Sequence, residues 1–241
     1  MSDVLVIIPT YNEIENIARM LDTVMALADG FDVLVIDDNS PDGTQDAVSA
    51  KMAEYPGRID MLRRAGKLGL GTAYIEGFKW ALAHGYDYVI EMDADFSHNP
   101  ADLTKLYHAC RDDGADVAIG SRYISGVNVV NWPMGRVLMS YYASAYVRFV
   151  TRMPLRDSTA GFVCYRRKVL ESIDLDNIHF KGYAFQIEMK FRAFKRKFKI
   201  VEIPIIFVNR VLGTSKMSGS IFGEAVLGVI KLRLKSIAGK L

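Results

Sequence analysis

The chain has 241 residues, 50% of them hydrophobic and 24% charged, with a net charge of +2. That length suits one large α/β domain with an appendage, and the balanced charge gives no sign of a nucleic-acid-binding protein. Two widely spaced cysteines, Cys110 and Cys164, predict reduced core thiols of a cytosolic protein rather than a metal or disulfide framework. The opening Ser2-Asp3 predicts no signal peptide, and no apolar run approaches the roughly 18 residues of a membrane span.

Taken in order, Val4-Leu5-Val6-Ile7-Ile8 reads as a buried strand, followed by a helix over about 14–27. Val33-Leu34-Val35-Ile36 is a second strand, with a helix over about 45–55; Ile59-Asp60-Met61-Leu62 is a third, with a helix over about 72–84. Tyr88-Val89-Ile90-Glu91-Met92 comes next, then a helix opened by Asn99-Pro100, and Val117-Ala118-Ile119 completes the series. Alternating apolar strands and helices predict a mainly parallel sheet covered on both faces, with every strand-to-helix turn on one edge. Beyond about Ser125 the rhythm changes. A long apolar and aromatic stretch over 134–152 carries Arg136, Arg148 and Arg152; a short strand near 162–165 and a helix over about 185–197 follow. The run over 200–207 is a further strand whose Pro204 favours a sheet edge. The expected division is a domain over 1–219, with a half over about 1–125, a second half over 126–219, and a basic amphipathic helix over 220–241.

The polar turns collect the chemistry. Asp93-Ala94-Asp95 stands at the end of the fourth strand, the edge where open α/β sheets bind ligands. Two carboxylates that close are costly neighbours without a cation, and hard oxygen ligands suit Mg²⁺ or Mn²⁺ together with a diphosphate. Pro9-Thr10-Tyr11-Asn12-Glu13 offers either a helix cap, with Asn12 as the cap, or contacts from Tyr11 and Glu13 to a base or ribose. Asp37 and Asp38, at the end of the second strand, suit hydrogen-bond acceptors for the same groups, beside the turn residues Pro41-Asp42-Gly43. Neither a dinucleotide-binding nor a P-loop glycine pattern occurs, so a nucleotide here depends more on a metal. Arg122, at another strand end, suits a phosphate through its planar fork. Arg210 and Lys216 bracket a stretch read either as a lid that orders on an anion or as a disordered surface loop. Glu188 is read either as a cleft residue or as an exposed helical acid. Met134 onward and 221–241 read either as core-facing helices with solvated basic faces or as basic amphipathic helices on a membrane surface.

In this order, Pro9-Thr10-Tyr11-Asn12-Glu13, Val35-Ile36-Asp37-Asp38-Asn39-Ser40-Pro41-Asp42-Gly43-Thr44, Gly69-Leu70-Gly71-Thr72-Ala73-Tyr74, Met92-Asp93-Ala94-Asp95-Phe96-Ser97-His98 and Gly120-Ser121-Arg122-Tyr123 resemble the dolichyl- or polyprenyl-phosphate mannose synthases, inverting family 2 glycosyltransferases of the GT-A fold. Asp157-Ser158-Thr159-Ala160-Gly161-Phe162 and Gly213-Thr214-Ser215-Lys216 extend the match over nearly the whole chain. The resemblance implies a GT-A, Rossmann-like α/β domain with C-terminal amphipathic helices. It implies donor binding by Pro9, Tyr11, Glu13, Asp37, Asp38, Asp93, Ala94, Arg210 and Lys216, and a divalent cation (Mg²⁺ or Mn²⁺) on Asp93 and Asp95. Ser97 stands where some relatives have Gln as a further contact. Arg122, Arg136 and Ser140 would grip the acceptor phosphate, and Asp95, Arg122 and Arg136 would carry the catalytic load.

The activity this implies is transfer of mannose from GDP-mannose to a polyprenyl or dolichyl monophosphate, at the cytoplasmic face of a membrane, with room for an integral-membrane partner. A phosphate monoester with its second pKa near ~6 is already anionic and needs no strong general base. His98 then shapes the metal turn, while His84, His108 and His179 are peripheral. Three alternatives stand beside this reading: a transferase using a UDP-sugar, a sugar-nucleotide pyrophosphorylase, and a non-catalytic lipid-phosphate binder.

Overall fold

The computed structural model describes residues 2–180, 182, 184–210 and 221–239, with 221–225 described by backbone alone. Its centre is a seven-stranded sheet. In chain order the strands are β1 (Val4–Thr10), β2 (Asp32–Asp37), β3 (Ile59–Arg63), β4 (Tyr88–Glu91), β5 (Val117–Ser121), β7 (Val163–Arg166) and β8 (Ile200–Pro204). A two-residue pair, β6 (Val129–Val130) with β9 (Phe207–Val208), forms a separate small sheet. The helices are α1 (Ile17–Met25), α2 (Thr44–Glu54), α3 (Leu70–Ala83), α4 (Asp102–Arg111), α5 (Met134–Thr151), α6 (Arg167–Ser172), α7 (Ala184–Lys195) and α8 (Ile221–Ile237).

The strand alternation explains the layers. Successive strand side chains point to opposite faces. Leu5, Ile7, Leu34 and Ile36 therefore join the core beneath α3 and α7, where Tyr74, Phe78 and Phe185 pack. Val4, Val6, Val33 and Val35 join the other core, with Ile17, Leu21 and Leu106. Both faces being covered, nearly every residue of β1 and β2 is buried. Gly77 lets α3 lie close to the sheet, since a Cβ there would meet Ile7 and Ile36 side chains at 2.8 Å.

Sheet order is β3-β2-β1-β4-β7-β5-β8. The expected mainly parallel sheet is present, with one departure: β7 runs antiparallel between β4 and β5, pairing Val163 with Glu91 on one side and Ile119 on the other. The segment entering β7 thus arrives at the same edge where β4 and β5 end. Pro204 closes the edge strand β8, as its missing N–H predicts. The expected strand over 200–207 is split there, and its tail pairs with β6 instead.

Helix starts also shift. α1 begins at Ile17, so Asn12 is no cap; it sits in the left-handed region at φ 54°. The C-terminal helix packs on α5 and α7, burying Val229 and Leu232 and leaving Leu227, Leu234 and Ile237 exposed. Cys110 and Cys164 are buried free thiols. Among the described residues no helix is long and apolar enough to cross a membrane.

Candidate active site

The loops after β1, β2 and β4 each contain a non-glycine residue in the left-handed region: Asn12 at 54°, Asn39 at 60° and Phe96 at 58°. Such residues persist only where surrounding contacts over-determine them, and they cluster at functional sites. Here the contacts are visible. Asp37 accepts the Thr10 and Ser40 hydroxyls at 2.7 and 2.6 Å, the Ser40 amide at 2.9 Å and the Gln45 amide at 2.6 Å. Ser40 and Asp42 in turn accept the amides of Asn12 and Ile14. Asp37, expected as an acceptor for a base or ribose, has both oxygens occupied by these donors, which also fix the turn. Asp38 accepts from Arg64 at 2.8 Å, and its partial burial holds its carboxyl above the usual range against that guanidinium. Pro9 and Tyr11 are half-buried on this side, the Tyr11 ring beneath Lys67 Nζ at 5.2 Å, and Glu13 accepts from Asn16.

Asp93 and Asp95 follow β4. Ala94 between them turns its methyl into the core, so any donor contact it makes is through its backbone. Asp95 is buried, accepts the Ser97 amide at 3.0 Å and pairs with Arg210 at 2.8 Å. Asp93 faces the cavity, its side chain 38% exposed. The recess and then Asp95 push its carboxyl up to about 7, with Arg210 opposing. Ser97 is buried and lines the same cavity, and its carbonyl accepts the Val208 amide. His98 is buried against Phe162, its ring neutral with a pKa held down to about 4 by burial, and its Nδ1 has no hydrogen-bond partner, 3.9 Å from Asp93.

Across the cavity stand the arginines. Arg122 leaves the end of β5 and is buried against Asp157. Arg136, on α5, lies over the Trp132 ring at 4.0 Å and donates to Asn209. Ser140 lies one turn further along α5 and lines the same space. The cavity measures about 580 Å³. Its lining includes the carboxylates of Asp93 and Asp95, with Arg210 paired to the latter, the arginines Arg122 and Arg136, and apolar side chains of α5 and α8, among them Met139, Val147, Val226 and Val229. Lys216, with the rest of 211–220, lies outside the described residues.

Among the described residues no cluster of three His, Cys, Asp or Glu side chains is arranged to hold a cation. The chain offers two carboxylates, and the Asp93 carboxyl is raised first by its recess and then by the Asp95 charge beside it. That fits a cation such as Mg²⁺, which is held by one or two carboxylates and completed by substrate phosphates. Protons and cation compete for Asp93, so cation affinity is expected to fall as pH drops through about 7, approaching tenfold per unit below it. Mn²⁺ titrations at about pH 6, 7 and 8 check this, and a flat profile would remove Asp93 from the site.

Sequence reasoning passed over the residues that hold these groups. Asp157, Thr159, Trp132, Gln186 and Lys190 all border the site or its supports, and only the sequence around Asp157 had been noted, without a chemical role. Glu188, left as a cleft or exposed acid, is neither. It is fully buried, pairing with Arg192 at 2.7 Å and accepting the amides of His179 and Phe180.

Comparison with known proteins decides the class. Residues 5–174 match the model of Glycosyl transferase family 2. The chain belongs to that family. It is 50% identical over 228 residues to undecaprenyl-phosphate mannosyltransferase of Micrococcus luteus, covering 95% of this chain and 93% of that one. It is 48% identical over 225 residues to polyprenol monophosphomannose synthase of Mycolicibacterium smegmatis, covering 93% and 84%. The resemblance read from the motifs is thereby borne out, and this glycosyltransferase is not the pyrophosphorylase or the non-catalytic binder kept as alternatives. Its GT-A-like fold is shared with glucosyl-3-phosphoglycerate synthase of Mycobacterium tuberculosis, solved with Mn²⁺, UDP and glucosyl-3-phosphoglycerate. The TM-score is 0.68 at 19% identity, covering 98% of this chain and 80% of that one.

Proposed function

We propose that this glycosyltransferase moves mannose from GDP-mannose to a polyprenyl or dolichyl monophosphate with inversion at the sugar carbon, using Mg²⁺ or Mn²⁺. The observation that carries the reading is that one cavity is lined by paired carboxylates, by arginines and by apolar side chains of two helices. That combination suits a cation with a donor diphosphate, an acceptor phosphate and an isoprenoid chain. The two relatives' names support mannose and a polyprenyl acceptor.

On this reading Asp93 and Asp95 hold the cation, which when bound supplies positive charge to the departing diphosphate. Asp38, Tyr11 and Glu13 line the nucleotide side, with Pro9 and the turn built by Asp37 setting their backbone; Ala94 contributes backbone only. Arg122, Arg136 and Ser140 align the acceptor phosphate, whose anionic oxygen attacks opposite the leaving group without a general base. Arg210, already on Asp95, stands where it can pass to the donor diphosphate, with Lys216, six positions on in the sequence, as its companion. Residues 1–125 thus supply most of the donor and metal side, with Arg122 turned to the acceptor, and 126–219 supply Arg136 and Ser140 for the acceptor, with Arg210 and Lys216 returning to the donor; α8 packs beside α5.

A donor screen tests this. GDP-mannose is expected to support transfer to a short-chain polyprenyl phosphate, with EDTA abolishing it. Equal or faster transfer from UDP-glucose would overturn the mannose assignment in favour of the UDP-sugar alternative.

We also assign the exposed apolar faces of α5 and α8 to the cytoplasmic surface of a membrane, where an integral partner has room to bind. Met134, Tyr142 and Phe149 are exposed on α5, the last 73% exposed with Arg152 over its ring at 5.7 Å, and Leu234 and Ile237 are exposed on α8, which also carries Lys231 and Arg233. Exposed apolar groups with basic neighbours suit an anionic bilayer. Phe149→Glu is expected to lower sedimentation with anionic vesicles severalfold; unchanged partitioning would take α5 off the membrane face.

A further inference from the structure

The Arg122 guanidinium is held by a single carboxylate and a hydroxyl. Asp157 Oδ2 accepts the Arg122 backbone N–H at 3.0 Å and its Nε–H at 2.7 Å, and Asp157 Oδ1 accepts from Nη2 at 2.6 Å. Thr159 Oγ1 accepts from the same Nη2 at 2.9 Å. Arg122 is 9% exposed and Asp157 fully buried. A guanidinium gripped along one edge in this way has its plane fixed, and its remaining edge is aimed. Arg122 and Thr159 both line the cavity that contains Asp93.

The segment carrying Asp157 and Thr159 is itself pinned at both ends. On β8, Glu202 accepts the amides of Arg156 and Asp157 at 2.7 and 2.8 Å and the Ser121 hydroxyl at 2.7 Å. On α7, the buried Lys190 ammonium donates to the Ala160 carbonyl at 2.6 Å and the Ser158 carbonyl at 3.3 Å. Gln186, one turn before Lys190, donates to Glu91 at 2.8 Å, at the end of the strand that leads into Asp93. The loop is therefore tied to the metal-side strand and to the strand that supplies Arg122. Buried ion pairs are a poor means of stabilising a fold, because desolvation offsets much of their attraction. Fixed geometry is what such a network provides at the edge of a cavity.

We propose that Asp157 and Thr159 are positioning residues for transfer. They orient the Arg122 guanidinium toward the acceptor anion, on a loop locked by Lys190 and Glu202. This rests on the reading of Arg122 as an acceptor-phosphate residue. A pre-aimed arginine lowers the ordering cost of binding the anion, so loosening it acts on the acceptor and spares the nucleotide.

The test uses the full chain, with farnesyl phosphate as acceptor and GDP as nucleotide probe. Asp157→Asn is expected to raise the acceptor KM by about tenfold to a hundredfold, the scale of a lost charge-assisted hydrogen bond. Thr159→Val, which keeps the side-chain volume, is expected to raise it about threefold. Donor KM and GDP affinity should stay within about twofold in both. A purely structural role would lower the active fraction, and so kcat, leaving the acceptor KM unmoved. Thr159→Val decides alone if the asparagine variant does not fold. An unchanged acceptor KM, or equal rises for donor and acceptor, overturns the inference. Wild-type protein that neither binds nor glycosylates farnesyl phosphate overturns the lipid-phosphate reading, and the inference with it.

Discussion

Asp95→Ala is expected to lower sugar transfer by about a thousandfold or more, with the protein still melting cooperatively. Asp95 combines three features: a buried carboxylate, the Arg210 pair at 2.8 Å, and the Ser97 amide at 3.0 Å that fixes the turn. Losing it removes one of the two carboxylates proposed to hold the cation and takes the partner from Arg210. Removing a single preorganised electrostatic group costs about a hundredfold to a thousandfold in well-studied active sites, and losing a metal ligand costs at least as much. The fold is carried by the cores on either side of the sheet, to which the carboxylate does not contribute. Asp93→Ala should match it in activity but differ in stability. The folded-state carboxyl of Asp93 is raised to about 7, above its unfolded value, so its charge opposes folding at neutral pH. Its removal is expected to leave the melting temperature equal or higher. Initial rates with labelled donor, Mn²⁺ binding by electron paramagnetic resonance, and thermal melts at pH 7.5 together check the pair. More than about a tenth of wild-type activity in Asp95→Ala would remove that residue from the catalytic set.

The largest stability effect belongs to Glu188. Its Oε1 accepts both the Nε and Nη2 of Arg192, at 2.9 and 2.7 Å, and its Oε2 accepts the amides of His179 and Phe180 at 2.8 and 3.2 Å. Glu188→Ala would leave a guanidinium only 3% exposed without its counter-charge, and two amides without their acceptor. Breaking a buried pair from one side costs about 3–5 kcal/mol. Urea unfolding should register a loss in that range, with Glu188→Gln intermediate because its amide oxygen still accepts. A loss under about 1 kcal/mol would mean that the helix does not depend on this pair.

These two carboxylates show how differently residues announce themselves in a sequence. Asp95 was legible because its type, its spacing from Asp93 and its place after an apolar strand all reflect local chemistry. Glu188 was not, because an acid on an amphipathic helix looks alike whether it faces solvent, a cleft or a buried arginine. Asp37 lies between these cases. Its position at a strand end was readable, but the four hydrogen bonds that absorb its carboxylate come from Thr10, Ser40 and Gln45, and only folding brings these together.

The sequence by itself determined the strand and helix alternation, the edge at which the polar turns gather and the paired aspartates, because period and turn chemistry are local properties of a chain. The ordered motifs then carried the family resemblance. Only the tertiary structure decided that β7 inserts antiparallel between β4 and β5, since strand order depends on non-local pairing that no residue encodes alone. That insertion delivers the 157–161 segment to the site edge, where Asp157 meets Arg122 across 35 positions of sequence. The paired-aspartate turn was written in consecutive residues, whereas the contact between Asp157 and Arg122 exists only once β7 has paired between β4 and β5.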